Sequence, residues 1–324
     1  MKWSYSKSRI FIKCPRRWYF SEYIASPTSR DAFRKEVYIL KQLQTMYAWR
    51  GSLVDKVIER AIVPGINSRI LPSKSDVISF SLELMESQFK FGKEKRYRSE
   101  DTSKSNTGDK YCAFYDIEYK GEIDEKILHK VRNDIVLSLE NLFSTNFLEK
   151  FVENDSYAIS QRGITFPFED IMVSCTPDLL VFSPKAPPVI VDWKVHEFAN
   201  KDYWLQLGIY ALALSKSKPH KDFPDALLNQ VQDLRAVRLI EYQLLKNLQR
   251  EHVVSEDNLA HIFDYICKTS SEMKRLINGG KFDKFQLNRI PTARAPEICE
   301  KCNFKKICWE KMPVQKSLFE VAWK

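Results

Sequence analysis

Two aspartates lie where they can share a single cation, with one lysine beside them. Thr176-Pro177-Asp178 leads into one apolar run, and Val191-Asp192-Trp193-Lys194 closes another. The turn Ser183-Pro184-Lys185-Ala186-Pro187-Pro188 lies between them, with Asp178 and Asp192 equally far from Lys185. An antiparallel hairpin in simple register faces the two carboxylates across about 5 Å between Cα atoms. Asp192 and Lys194 project from the same side of one strand. Carboxylates so placed repel unless a cation lies between them, and oxygen ligands suit Mg²⁺ or Mn²⁺. The lysine can orient a water there and stabilise developing negative charge. That is the equipment of phosphodiester hydrolysis. A D-x-K triplet alone says little; the ordered set of proline-aspartate, strand, turn, strand and D-x-K is far more specific. The plainer reading is an exposed hairpin with ordinary charges.

Three further positions fit the same chemistry. Gln206 and Tyr210, in Gln206-Leu207-Gly208-Ile209-Tyr210, are i and i+4 and share a helical face. Asp55 ends Arg50-Gly51-Ser52-Leu53-Val54-Asp55, on a helix that can add a third ligand. Each has a plain reading too, as polar helix-face residues and a surface aspartate. A second constellation stands late in the chain, where Cys299, Cys302 and Cys308 form C-x2-C-x5-C. A tetrahedral metal or an iron–sulfur cube needs four thiolates, and Cys14, in Lys13-Cys14-Pro15-Arg16-Arg17-Trp18, is the fourth candidate. Cys112, Cys175 and Cys267 read as small buried hydrophobes.

The elements that must position these residues follow from periodicity. Residues 4–24 are predicted helical, redirected at Cys14-Pro15. A long helix is predicted over 31–62, where Val37, Leu40, Leu43, Val54 and Ile58 recur at helical steps. Two more helices fall at 75–92 and 122–152. Between them 90–111 is polar, basic at its start and poor in aliphatics, which predicts a mobile loop. The period then changes. Strands are predicted at 163–168, 171–182, 189–194 and 236–245, with a helix over 202–216. Ser255 can cap a helix running to about Asn278 and stopping at Gly279-Gly280. The expected fold class is α/β, with a small mixed sheet between leading helices and a closing cysteine knuckle.

Composition bounds the partners. The chain has 324 residues, 44% hydrophobic and 13% aromatic, enough for a sizeable core and against global disorder. Its Lys+Arg count of 51 against 42 Asp+Glu leaves +9, which favours polyanions. Seven cysteines without a leader or a long apolar run predict a cytoplasmic, non-membrane protein using metal or buried thiols. Five histidines without H-E-x-x-H, and no G-x-S-x-G or Walker A loop, set other hydrolase classes aside. Arg16, Arg17 and Trp18 with Tyr19 can hold phosphates and stack a base, unless the aromatics are core. Lys93, Lys95, Arg96 and Arg98 can add salt-sensitive phosphate contacts.

Taken together, RGSLVD, PDLLVF, VDWK and QLGIY resemble the RecB-like branch of the PD-(D/E)XK nuclease superfamily. The resemblance implies a restriction-endonuclease-like mixed sheet flanked by helices, with Asp178 and Asp192 on the metal and Lys194 assisting the attacking water. Gln206 and Tyr210 would position active-site groups or DNA. The position of Asp55 is most often histidine in that family. The early cysteine before proline and basic-aromatic residues, with the late C-x2-C-x5-C, is similar to the iron–sulfur group, including the CRISPR-adaptation exonuclease and the AddB nuclease domain. That likeness implies a structural [4Fe–4S] cluster on Cys14, Cys299, Cys302 and Cys308, clasping the N- and C-terminal segments; a four-cysteine zinc site is the alternative. The expected segments are 1–63 (N-terminal helices with Cys14 and Asp55), 64–155 (helical insertion with the basic loop), 156–250 (nuclease core) and 251–324 (C-terminal helix and cysteines). The expected function is a Mg²⁺- or Mn²⁺-dependent deoxyribonuclease acting on single-stranded DNA or DNA ends, exonuclease before endonuclease. It would serve DNA repair or antiviral defence beside a helicase or integrase-type partner. The alternative is a DNA-binding or scaffold subunit with little activity of its own.

Overall fold

The computed structural model describes residues 1–99, 102–184, 186–196, 203–217, 223, 234–277 and 287–310. The chain opens on a two-residue strand, β1 (Lys2–Trp3). Ser4 then caps α1 (Tyr5–Lys13), accepting from the Lys7 amide at 3.3 Å. Pro15 disfavours helical backbone at Cys14, so the chain turns there. The next helix, α2 (Pro15–Tyr19), begins with the Cys14 sulfur accepting from the Arg17 amide at 3.4 Å.

The long helix expected over 31–62 is two helices, α3 (Ala32–Lys41) and α4 (Met46–Val57). The break has local causes. Thr45 accepts from the Ala48 amide at 3.3 Å, and Gln44 exchanges backbone hydrogen bonds of 2.8 Å with Ala113 and Tyr115. Beyond a π-helical turn at Ile58–Ile62 follow α5 (Val63–Ser68), α6 (Lys74–Lys93), α7 (Lys104–Thr107), α8 (Tyr115–Tyr119), α9 (Glu125–Phe143) and α10 (Phe147–Glu153). The single helix expected over 122–152 is thus also divided. Ser144, Thr145 and Asn146 sit at the break, and the Ser144 hydroxyl turns back to the Asn141 carbonyl.

Residues 90–111 are not a plain loop. α6 runs into them, Tyr97 is buried, and its hydroxyl donates to Glu118 at 3.0 Å. Arg98 binds the same carboxylate, and Arg60 reaches Asp109 at 2.8 Å. Polar composition concealed these pairings. Gly92 is fixed by proximity, since a Cβ there would collide with the buried Phe114 ring. Gly92→Ala is therefore expected to cost about 1–3 kcal/mol, read as a lower urea midpoint with unchanged slope.

The remaining elements are β2 (Tyr157–Ser160), β3 (Ile164–Phe168), β4 (Ile171–Cys175), β5 (Leu179–Ser183), β6 (Ala186–Lys194), α11 (Trp204–Lys216), β7 (Arg238–Gln243), β8 (Leu248–His252), α12 (Glu256–Ile277), α13 (Pro296–Glu300) and α14 (Lys305–Glu310). Ser255 and Asn258 cap α12 reciprocally; its expected stop at Gly279-Gly280 lies outside the described residues, as do the turn residue Lys185 and the first position of the 202–216 helix. By contacts the chain divides into two compact units. The first is Met1–Trp3 with Gln44–Tyr265; the second is Ser4–Leu43 with the segment from Ile266 on.

The first unit holds two sheets, ordered β1-β4-β3 and β2-β5-β6-β7-β8. The run 171–182, expected as one strand, changes sheets at Thr176-Pro177-Asp178. Proline has no amide hydrogen for a ladder, so it suits this corner. β5 and β6 pair antiparallel, Leu179 opposite Val191 and Leu180 opposite Ile190; β6 and β7 pair parallel around α11. One face of the larger sheet, through Leu179, Val191, Trp193, Ile240 and Tyr242, enters a core shared with α4 and α9. α11 also packs against β6 and β7. The second unit packs α1 to α3 with the later helices, Phe20 meeting Phe304 at 5.1 Å between ring centroids.

Candidate functional site

Asp178, Asp192, Lys194 and Asp55 converge in the first unit. The β5–β6 register, continued by one residue, sets Asp178 opposite Asp192. The Asp178 carboxylate accepts from the Trp193 amide at 3.0 Å and from Gln161 Nε2 at 3.2 Å. Asp192 is buried, and its Oδ2 forms an ion pair with Lys194 Nζ. The Lys194 ammonium also lies 4.4 Å from the centre of the Tyr203 ring, whose hydroxyl is 2.8 Å from His196 Nε2. From α11, Gln206 Nε2 donates to Asp192 Oδ1 at 3.0 Å and to the Tyr210 hydroxyl at 2.6 Å. α4 supplies Asp55.

Lys194, aided at Asp55 by Lys56, does not balance the three carboxylates. Burial, then the charge of Asp192, pushes Asp55 up to about 7. Burial, then Asp192 and Asp55, holds Asp178 well above the ordinary range. Asp192 is raised by burial although Lys194 opposes it. Burial pulls Lys194 down, but Asp192 and Asp178 outweigh it and keep the ammonium charged. Tyr210 is held well above its usual value by burial and the same two aspartates, so its hydroxyl keeps its proton. Among the described residues no three or more His, Cys, Asp or Glu side chains stand, as placed, in a group that could hold a metal ion. Here Lys194 occupies Asp192 instead. The donor chemistry nonetheless fits a hard divalent cation: several carboxylate oxygens, crowded, with uncompensated negative charge.

α4 is held in place by a buried arginine. Arg50, in the stretch that ends at Asp55, forms an ion pair with Asp134 of α9 and donates to the Val195 carbonyl, directly after Lys194. Asp134→Ala strands that charge. It is expected to cost about 3–5 kcal/mol, with Asp134→Asn milder, measured by urea unfolding.

The cysteines gather in the second unit. Cys14, Cys299, Cys302 and Cys308 interact electrostatically with one another. Burial and that mutual repulsion push Cys299 up to about 11; burial dominates at Cys302, also about 11. Three sulfurs already accept hydrogen bonds: Cys14 from the Arg17 amide, Cys302 from the Phe304 amide at 3.5 Å, and Cys308 from Arg16 Nη1 at 3.9 Å. Donors aimed at sulfur suit thiolates, which these become only when a metal displaces their protons.

Arg16 and Trp18 are corrected by their burial. Each is 2% exposed; Arg16 is committed to the Ile290 carbonyl at 3.0 and 2.6 Å, and Trp18 packs edge-on to Phe11 and Tyr23. Neither offers a surface to a phosphate or a base. Arg17 is partly exposed. In the first unit Lys93, Lys95 and Arg96 are exposed, with Lys93 and Arg96 over the rings of Phe89 and Phe91. Sequence reasoning missed Gln161, Tyr203, His196 and Glu241. Only Glu241 carried a signal, as an acidic residue inside an apolar strand.

A mixed sheet carrying a proline-aspartate corner beside a D-x-K strand, backed by a Gln-Tyr helix, defines a nuclease fold. The family model of the PD-(D/E)XK nuclease superfamily matches residues 2–309, and the chain belongs to that superfamily. Among curated proteins none matches it significantly. Among the described residues no helix is long and apolar enough to cross a membrane.

Proposed function

We propose that the protein is a divalent-metal-dependent deoxyribonuclease that hydrolyses single-stranded DNA or DNA ends, exonucleolytically before endonucleolytically. The observation that carries this is the convergence of Asp55, Asp178, Asp192 and Lys194 beside Gln206 and Tyr210, in a chain of this superfamily. Asp55, Asp178 and Asp192 would hold Mg²⁺ or Mn²⁺, which when bound supplies charge stabilisation for phosphodiester hydrolysis. Lys194, kept protonated, donates a hydrogen bond to the attacking water and then faces the charge growing on the phosphoryl oxygens. Gln206 fixes the Asp192 oxygen it binds, and Tyr210 fixes Gln206. Arg17, Lys93, Lys95 and Arg96 supply phosphate contacts. Cys14, Cys299, Cys302 and Cys308 would hold a structural [4Fe–4S] cluster, with zinc as the alternative; the gathered sulfurs and their N–H donors support a tetrathiolate site. Asp55 at the family's usual histidine position favours a second reading, a DNA-binding subunit with weak activity.

The test is cleavage of end-labelled linear and closed circular single-stranded DNA with Mg²⁺ or Mn²⁺, with Asp192→Asn as control. Loss of the linear substrate alone is the expected result. Cleavage of both makes the protein an endonuclease. Binding without cleavage under either metal overturns the enzyme reading in favour of the second.

A further inference from the structure

The strand beside the D-x-K strand repeats its pattern. Val191-Asp192-Trp193-Lys194 on β6 lies in parallel register, residue for residue, with Ile240-Glu241-Tyr242-Gln243 on β7. Trp193 and Tyr242 meet on the core face at 5.9 Å between centroids. By strand alternation Asp192, Lys194, Glu241 and Gln243 share the opposite face. Glu241 and Gln243 have no solvent exposure. Glu241 accepts from Gln243 Nε2; its other oxygen lies 3.2 Å from His252 Nε2, and Arg250 Nη1 is 3.8 Å away. The Gln243 Oε1 atom is buried with no hydrogen-bond partner among the described residues.

Packing alone does not call for this arrangement. An apolar pair would fill the strand without desolvating a carboxylate beside Asp192. An orphaned buried acceptor is likewise costly unless it gains a partner in another state of the protein. Lys194 stands directly across from it in register, committed to Asp192. A divalent cation competes with that ammonium for the same carboxylate.

We propose that Glu241 and Gln243 are positioning residues that set the divalent-cation affinity of the Asp192 site. Glu241 deepens the negative potential at Asp192 and holds the Gln243 amide by its NH₂ group. The Gln243 oxygen is thereby left to receive the Lys194 ammonium once Asp192 is engaged elsewhere. This rests on the metal-dependent reading above.

The experiment is a Mn²⁺ titration of the full chain by calorimetry, paired with the Mg²⁺ dependence of cleavage and thermal melting in EDTA. Glu241→Gln is expected to weaken Mn²⁺ binding about 10–100-fold and raise the half-saturating Mg²⁺ equally, with cleavage at saturating Mg²⁺ near wild type. Its melting temperature in EDTA is expected to change little, because the repulsion from Asp192 and the pairing with Arg250 and His252 are lost together. Glu241→Asp keeps the charge and is expected to restore affinity. Gln243→Met, which keeps volume but removes the acceptor, is expected to weaken Mn²⁺ binding too, and carries the test should Glu241→Gln not fold. Unchanged Mn²⁺ affinity in a folded Glu241→Gln or Gln243→Met protein overturns the inference and leaves the nuclease reading standing. Wild-type protein that binds no Mn²⁺ overturns both.

Discussion

Lys194→Ala is expected to lower DNA cleavage by about 10²–10³-fold with DNA binding retained. Among the described residues the Lys194 ammonium forms an ion pair with Asp192, and Asp192 and Asp178 keep it protonated. Its removal takes away both the donor to the water and the charge opposing the phosphoryl oxygens. The same change alters stability in a direction that pH reveals. Asp55, Asp178 and Asp192 are all raised above their unfolded values. Such groups favour the fold fully below the unfolded value, near 4, and that contribution is lost as pH rises through the folded values, for Asp55 about 7. In EDTA the wild-type protein should therefore melt lower as pH rises from about 4 past about 7. Lys194→Ala should melt lower still, because the ion pair with Asp192 is gone. Mg²⁺ should restore stability more at pH 8 than at pH 5. Melting curves across that range check the order. Cleavage by Lys194→Ala at the wild-type rate would remove the lysine from the mechanism.

Cys302→Ser is expected to lose bound metal and most of the stability of the second unit. A metal held by Cys14 and the three late cysteines closes nearly the whole chain into one loop. A chain-entropy estimate for a cross-link of that span is about 6 kcal/mol. Metal analysis and the visible spectrum of anaerobically purified protein distinguish iron with sulfide from zinc. Cys267→Ala, outside the cluster, should retain full metal. A Cys302→Ser protein that keeps wild-type metal content and melting temperature would show that the sulfur is no ligand.

The hairpin that carries Asp178 and Asp192 was the most legible part of the molecule. Its register follows from strand alternation and a proline-rich turn, and a slip of one residue would send every side chain to the wrong face. Asp178 opposite Asp192 was thus readable from equal distances to Lys185. The corner at Thr176-Pro177-Asp178 was not, because one apolar run served two sheets in succession. β2 and β8 were also hidden. Both are short edge strands, and β8, Leu248–His252, carries charges that make it look like loop while protecting the sheet edge. Helical periodicity carried across Gln42–Thr45, since apolar spacing does not report a break created by Thr45 capping and by pairing with a distant segment. Arg16 and Trp18 failed for a related reason. A basic-aromatic run describes side-chain chemistry, whereas burial depends on neighbours far along the chain, such as Ile290.

The division of the chain also has a consequence for its birth on the ribosome. The second unit takes its material from 4–43 and from the segment beyond 265, so its early part must wait while all of 44–265 is made. At about 5–20 residues per second that wait is on the order of ten to forty seconds. The sheet-bearing unit is complete once that interval ends, before the late cysteines are made. The Cys14 thiol, whose proposed co-ligands at 299–308 emerge later still, spends it open to oxidants and to mismatched metals. If the four cysteines hold a metal as proposed, translation order makes its delivery a late event, after the residues of the larger sheet have been made.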